Sequence, residues 1–332
     1  MTDVTGSTSS AETTVAPGST TAPESTTTGG SSSAGDESTA GSSSGEQMGC
    51  AMDLVFVVDN SGSMEPRLAT LLEALPGFID GLDGIDLRAM VVDADANPQA
   101  ACVGGCGTGC YDAGACGPGL PANPECLVPC FACIGHDCDA PPPPVCDVTL
   151  GAGLVVEQGN DDAPCGFTSG ERWIDATEPS FADALTCAAN VGFAATEDER
   201  VMDSLLAAVA NMGEAAACNE GFLRPGAGLA VVVVTDEADT ESSGTPGDWA
   251  AALEGSQRDP EQLALAAIIG DAGQPGALCF EEENGAGADA PSIRALASML
   301  GERGVVGSVC ADSFSVTLDA FSQVVSGMCR GG

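Results

Sequence analysis

The chain is predicted to be an α/β protein built on a doubly wound, mostly parallel sheet, with a disulfide-rich loop insertion and a disordered N-terminal stalk. Three observations predict this. Apolar runs without polar alternation, the strongest being Leu-Ala-Val-Val-Val-Val at 229–234, alternate with segments of helical periodicity. Between about residues 97 and 170 that periodicity disappears, and ten of the 16 Cys fall there among Gly, Pro and the run Pro141 to Pro144. The first 47 residues hold 23 Ser or Thr and no aromatic residue, too little apolar surface to offset the entropy of ordering. The expected organisation is therefore a linker over 1–47 and one domain over 48–332, with the insertion at 97–170.

The elements follow in order. Leu54 to Val58 is a buried-strand run that stops at Asp59. Residues 65–82 carry Leu68, Leu71, Leu72, Leu75, Phe78 and Ile79 on one helical face, with a disturbance expected at Pro76-Gly77. Residues 86–93 form the next strand. After the insertion come a short strand at 171–174, a helix at 181–189 and a helix at 199–212 with Met202, Leu205, Leu206 and Val209 inward. Beyond the strand at 229–234, residues 248–254 read as a short helix and 263–269 as a buried strand. Residues 291–300 form a helix with Pro in its first turn, residues 305–310 the last strand, and Phe314 to Met328 a closing helix. Trp173 and Trp249 read as packing residues.

Composition excludes some functions. The formal charge is −40, from 49 acidic residues against nine Arg and no Lys. Nucleic acid and anionic membrane surfaces are poor partners for such a chain, since both are held by Lys and Arg. No run of 18 apolar residues exists, so no transmembrane segment is expected. Sixteen Cys point to an oxidising, extracytoplasmic setting (secreted, cell-surface or periplasmic) with up to eight disulfides. Residues 1–47 contain no apolar stretch of signal-peptide length, so the export signal is expected upstream of this start. Export by another route, or reduced Cys binding metal inside the cell as part of an accessory subunit, stays open. Cys126, Cys130, Cys133 and Cys138 with His136 lack paired zinc spacing and read as disulfide cysteines. Glu197-Asp198-Glu199 and Glu281-Glu282-Glu283 read as solvated charge. With a single His, no Lys and no Gly-x-Ser-x-Gly turn, an enzyme is not expected.

Chemistry concentrates at two strand ends. Asp59, Ser61 and Ser63 follow the first strand at alternate positions, and Asp236 follows the strongest strand within Thr235-Asp236-Glu237. In doubly wound sheets, ligands bind outside the carboxyl ends of strands, where connections diverge. Carboxylates and hydroxyls are the oxygen donors that a hard cation takes, Mg²⁺ at about 2.0–2.1 Å. The competing reading is that Asp59 and Ser63 merely cap the following helix.

Asp59-x-Ser61-x-Ser63 resembles the metal-ion-dependent adhesion site of von Willebrand factor type A domains. Cys187-Ala-Ala-Asn-Val-Gly192 and Gly221-Phe-Leu-Arg224 are similar to secreted bacterial members, and the likeness covers residues 50–96 and 171–329. It implies a Rossmann-like fold and a divalent cation, Mg²⁺ first, with Mn²⁺ or Ca²⁺ as alternatives. Ser61 and Ser63 would bind it by their hydroxyls, and Asp59 and Asp236 directly or through water. One position would stay open for a protein or other ligand bearing an acidic group. The family also uses a Thr before the middle helix. Here Val191-Gly192-Phe193 stands where Val-Gly-Thr is expected, and Thr196 is the nearest substitute. Glu197 or Asp198 could replace it, or the site could be degraded and recognition carried by the insertion. Cys187–Cys218 and Cys279–Cys310 are the expected links, each flanking regular elements of the core.

Overall fold

The computed structural model describes residues 50–95, 144–158, 163–193, 199–256, 259–280 and 286–331. The predicted stalk at 1–47, the Cys126–Cys138 group with His136, the triplet Glu281-Glu282-Glu283, and Thr196, Glu197 and Asp198 lie outside the described residues.

Six strands form one sheet in the order β5-β2-β1-β6-β7-β8. β1 is Ala51–Val58, β2 Asp86–Asp93, β5 Ile174–Asp175, β6 Gly228–Thr235, β7 Leu263–Ile269 and β8 Gly304–Ser308. All neighbours are parallel except β2 and β5, which run antiparallel. β3 (Val156–Glu157) and β4 (Ala163–Pro164) make a separate antiparallel pair. Every residue of β6 is buried, as a central parallel strand rich in Val requires. Each fully buried Val, Leu or Phe contributes roughly 1.5–3 kcal/mol relative to exposure.

Helices cover both faces. α1 (Glu65–Asp80), α2 (Phe181–Ala189) and α7 (Ser315–Gly331) pack on one face against Leu54, Phe56 and Val58. α3 (Val201–Ala208), α5 (Pro246–Ser256) and α6 (Pro291–Met299) pack on the other against Val55 and Val57. The two-residue alternation of side chains along β1 thus feeds two cores. Phe78 meets Phe56 edge-on at 6.0 Å and stacks with Phe321 at 6.2 Å, which locks α1 to both sheet and α7. Trp173 and Trp249 are buried, as expected.

Three expectations are corrected. α1 runs unbroken through Pro76. Pro76 lies exposed, so the helix loses one backbone bond on its wet side while Leu75 and Phe78 hold it to the core. The helix expected at 199–212 is shorter, and α4 (Glu214–Cys218) follows after Gly213, whose φ of 112° reverses the chain. The insertion is also not wholly outside the core. Ala152 and Leu154 are buried, Leu154 N–H donates to the Val91 carbonyl at 2.8 Å, and buried Asn219 bonds Gly151 and Gly153.

Among the described residues, four disulfides join Cys50–Cys329, Cys146–Cys218, Cys165–Cys187 and Cys279–Cys310. The last is as expected. Cys187–Cys218 is not formed, because α2 packs on one face of the sheet while α4 packs against α3 on the other. Each of those cysteines instead takes a partner from the insertion. No helix among the described residues is long and apolar enough to cross a membrane.

Candidate functional site

The chain leaves β1 toward β2 on one side and reaches β6 on the other, so the gap between β1 and β6 is where connections diverge. Asp59 and Asp236 occupy those two strand ends. The β1–β6 ladder extends one step further, Asp59 N–H donating to the Val234 carbonyl at 2.9 Å. That bond turns the Asp59 side chain into the gap, fully buried.

Each oxygen of Asp59 accepts one hydrogen bond, Oδ1 from Ser61 N–H at 2.8 Å and Oδ2 from the Thr235 hydroxyl at 2.7 Å. The first closes an Asx-type turn, which sends the chain through a short 3₁₀ turn at Gly62–Met64 into α1. Neither Asp59 nor Ser63 caps a helix by its side chain. Ser61 Oγ lies 2.9 Å from Ser63 Oγ, and Ser63 Oγ donates to Asp236 Oδ1 at 2.8 Å. Asp59, Ser61, Ser63 and Asp236 therefore form one continuous network, across 173 residues of sequence between the last two.

The backbone of Asp236 is pinned from the loop after β7, where Gly287 N–H donates to its carbonyl at 2.6 Å. Gly287 has φ +78°, and a Cβ there would lie 2.8 Å from the Phe280 carbonyl, so only glycine fits. Among the described residues, a guanidinium stands beside this network. Arg67, in the first turn of α1, donates to the Ser63 carbonyl at 2.7 Å and places Nε 3.2 Å from Asp236 Oδ2. The angle is not that of a hydrogen bond, and Asp236 Oδ2 stays buried without a donor. Burial first, and the Asp59 charge second, push the Asp236 carboxyl up to about 6.

Thr196 lies outside the described residues. Glu199, expected as solvated charge, is instead 6 % exposed, with both carboxyl oxygens buried and no donor to meet them. It lies against Asp59; burial, then that contact, push it up to about 12. Nothing in the spacing of Glu197-Asp198-Glu199 marks which acid turns inward. The one available signal is that Glu199 directly precedes the apolar face of α3. Further along the same edge, buried Asp95 accepts from Asn60 Nδ2 at 3.2 Å, and buried Asp93 accepts from Gln158 at 3.2 Å. Burial and the neighbouring Asp95 raise Asp93 to about 7.

The donors at this point are hydroxyl and carboxyl oxygens, a set suited to Mg²⁺, Ca²⁺ or Mn²⁺ rather than to softer metals. Among the described residues, no three His, Cys, Asp or Glu side chains stand in ready ligand geometry. The network is closed by its own hydrogen bonds, apart from the orphaned oxygens of Asp236, Glu199 and Asn60.

No family model and no curated protein sequence matches this chain. Among solved structures it is similar to proximal thread matrix protein 1 from the mussel byssus, at 10% identity and a TM-score of 0.39. That match covers 85% of this chain and 49% of the other, so this chain spans about half the length of that protein. A likeness this low transfers no role.

Proposed function

We propose that this chain is an extracytoplasmic binding module of the von Willebrand factor A type. It would hold a divalent cation at Asp59, Ser61, Ser63 and Asp236, and engage a carboxylate-bearing partner through it. The observation that carries this reading is the Ser63–Asp236 bond of 2.8 Å at the divergence of β1 and β6, beside an Asp236 oxygen with no donor. A buried carboxylate oxygen that accepts no hydrogen bond is costly even with Arg67 3.2 Å away, and a metal cation would satisfy it. The four disulfides support folding in an oxidising compartment. We read the module as non-catalytic, because both serine hydroxyls are engaged with each other or with a carboxylate and, among the described residues, neither meets an imidazole or amine.

The test is calorimetric titration of the EDTA-treated full chain with Mn²⁺ and Mg²⁺. One ion should bind the parent, and Asp59→Ala should take up none while keeping its disulfides and circular dichroism. Absence of uptake by the parent, or equal uptake by Asp59→Ala, overturns the proposal.

One observation favours a second reading. The Arg67 guanidinium already partly neutralises Asp236, as it would in a cation-independent interaction module whose recognition lies in the insertion. In that case Arg67→Ala would leave the chain still unable to bind Mn²⁺.

A further inference from the structure

The loop that follows β7 turns two large apolar side chains to solvent. Phe280 is 87 % exposed and Leu278 55 %, while Cys279 between them is buried. That alternation is the pattern of an extended segment with one face packed inward, so Leu278 and Phe280 share the outward face. Neither packs into either hydrophobic core. The segment is nevertheless held firmly. Cys279 is bridged to Cys310 beyond β8, and its N–H donates to the Asp271 carboxylate at 2.8 Å. Leu278 N–H reaches the same carboxylate at 3.1 Å. The Phe280 carbonyl packs against Gly287, whose N–H donates to the Asp236 carbonyl at 2.6 Å. The pair therefore stands beside the strand end that carries Asp236. Apolar groups fixed in place by their backbone lose little further freedom on contact, which is what interface anchors require.

The charge around them has one sign. Residues 259–293 and 304–329, the two stretches joined by the Cys279–Cys310 bond, contain nine acidic residues and no Lys, Arg or His. Asp312 is exposed two residues beyond Cys310. Arg294, which follows the first stretch, is occupied by Asp289 at 2.6 Å and by the Gly270 carbonyl at 3.1 Å.

We propose that Leu278 and Phe280 form an apolar anchor for a protein partner whose surface is basic, with Arg or Lys set among apolar side chains. Leu278 and Phe280 supply apolar area that leaves water on contact, and the Phe280 ring accepts an Arg guanidinium over its face. The surrounding acids repel an acidic partner and steer a basic one. A second copy of this chain, at −40, is the wrong sign for this face. The surface acts without a metal, so it goes beyond the cation reading of Asp59 and Asp236 and stands independently of it.

The test titrates the full chain, disulfides intact and EDTA present, with three labelled peptides of equal length: alternating Arg-Leu, Arg-Ser and Glu-Leu. Fluorescence anisotropy should show the parent binding Arg-Leu about tenfold or more tightly than either of the others. In Leu278→Ser/Phe280→Ser the gap between Arg-Leu and Arg-Ser should close to within about twofold. Both positions are exposed, and circular dichroism checks the fold; Phe280→Ser alone, expected to lose about half of the gap on a logarithmic scale, serves if the double variant fails to fold. Equal Arg-Leu affinity in the parent and a folded variant overturns the anchor. So does Arg-Ser binding as tightly as Arg-Leu in the parent, since net charge then accounts for everything. Glu-Leu binding as tightly as Arg-Leu overturns the basic partner. With EDTA present throughout, none of these results bears on the cation site, which the Mn²⁺ titration decides separately.

Discussion

Strand β1 carries a buried acid at each end, and the two are treated in opposite ways. At its start, Asp53 accepts from the Arg224 backbone N–H at 2.6 Å and from Arg224 Nε at 2.7 Å. The remaining Arg224 donors go to the Met52 and Asp86 carbonyls and the Asp86 carboxylate. Arg88 beside it stacks 3.8 Å over Trp173. Burial raises the Asp53 carboxyl, with Arg224 opposing. At the other end, Asp59, Asp236 and Glu199 crowd together with Arg67 as their recorded cation, and orphaned oxygens remain on two of the three. An acid satisfied from within the fold is structural. An acid left short of donors is where the proposed cation would contribute most.

The contrast can be broken first at the satisfied end. Arg224→Ala leaves Asp53 buried and unpaired, and should lower stability by about 3–5 kcal/mol in denaturant unfolding. A loss under about 1 kcal/mol would mean that the ion pair is no structural clamp. At the unsatisfied end the effect should be far smaller. Burial and Asp59 keep the Glu199 carboxyl protonated at neutral pH, so Glu199→Gln exchanges one neutral buried group for another and should move the thermal midpoint by no more than about 2 °C. A fall of about 4 °C or more would show that the Glu199 proton is donated within the fold.

A third effect, read as a pH dependence, lies at Asp93, on the same edge. Its carboxyl stands at about 7 in the folded chain against 3.8 for an unperturbed Asp, raised by burial and then by Asp95. The folded state therefore holds a proton that the unfolded state has released, and stability should fall as pH rises from about 4 to about 7, then level off. The slope from this one group is at most about 1.4 kcal/mol per pH unit. Asp93→Asn should flatten the pH profile of the thermal midpoint over that window. A profile identical to the parent's would assign the dependence to other acids.

How much of this was legible in the sequence depends on whether the signal was local. β1, β6 and β7 announce themselves as unbroken apolar runs, and Asp59, Ser61, Ser63 and Asp236 inherit their positions directly from those strand ends. The helix break near Gly213 was not visible in a pattern that continues through Val209 and Met212. Pro76 looked like an interruption because its orientation, facing water, is set by packing and not by its neighbours in sequence. The inward turn of Glu199 depends on its backbone being tied to two distant strand ends. The partners of Cys187 and Cys218 depend on which face each helix covers. Both are tertiary facts.

The bridge between Cys50 and Cys329 has a mechanical consequence. It joins the residue just before β1 to one near the end of α7, across a separation of 279 residues. Tension arriving along the chain at those two points passes through a single covalent bond. That covalent path bypasses the sheet, and with it the Asp59 edge at the far end of β1.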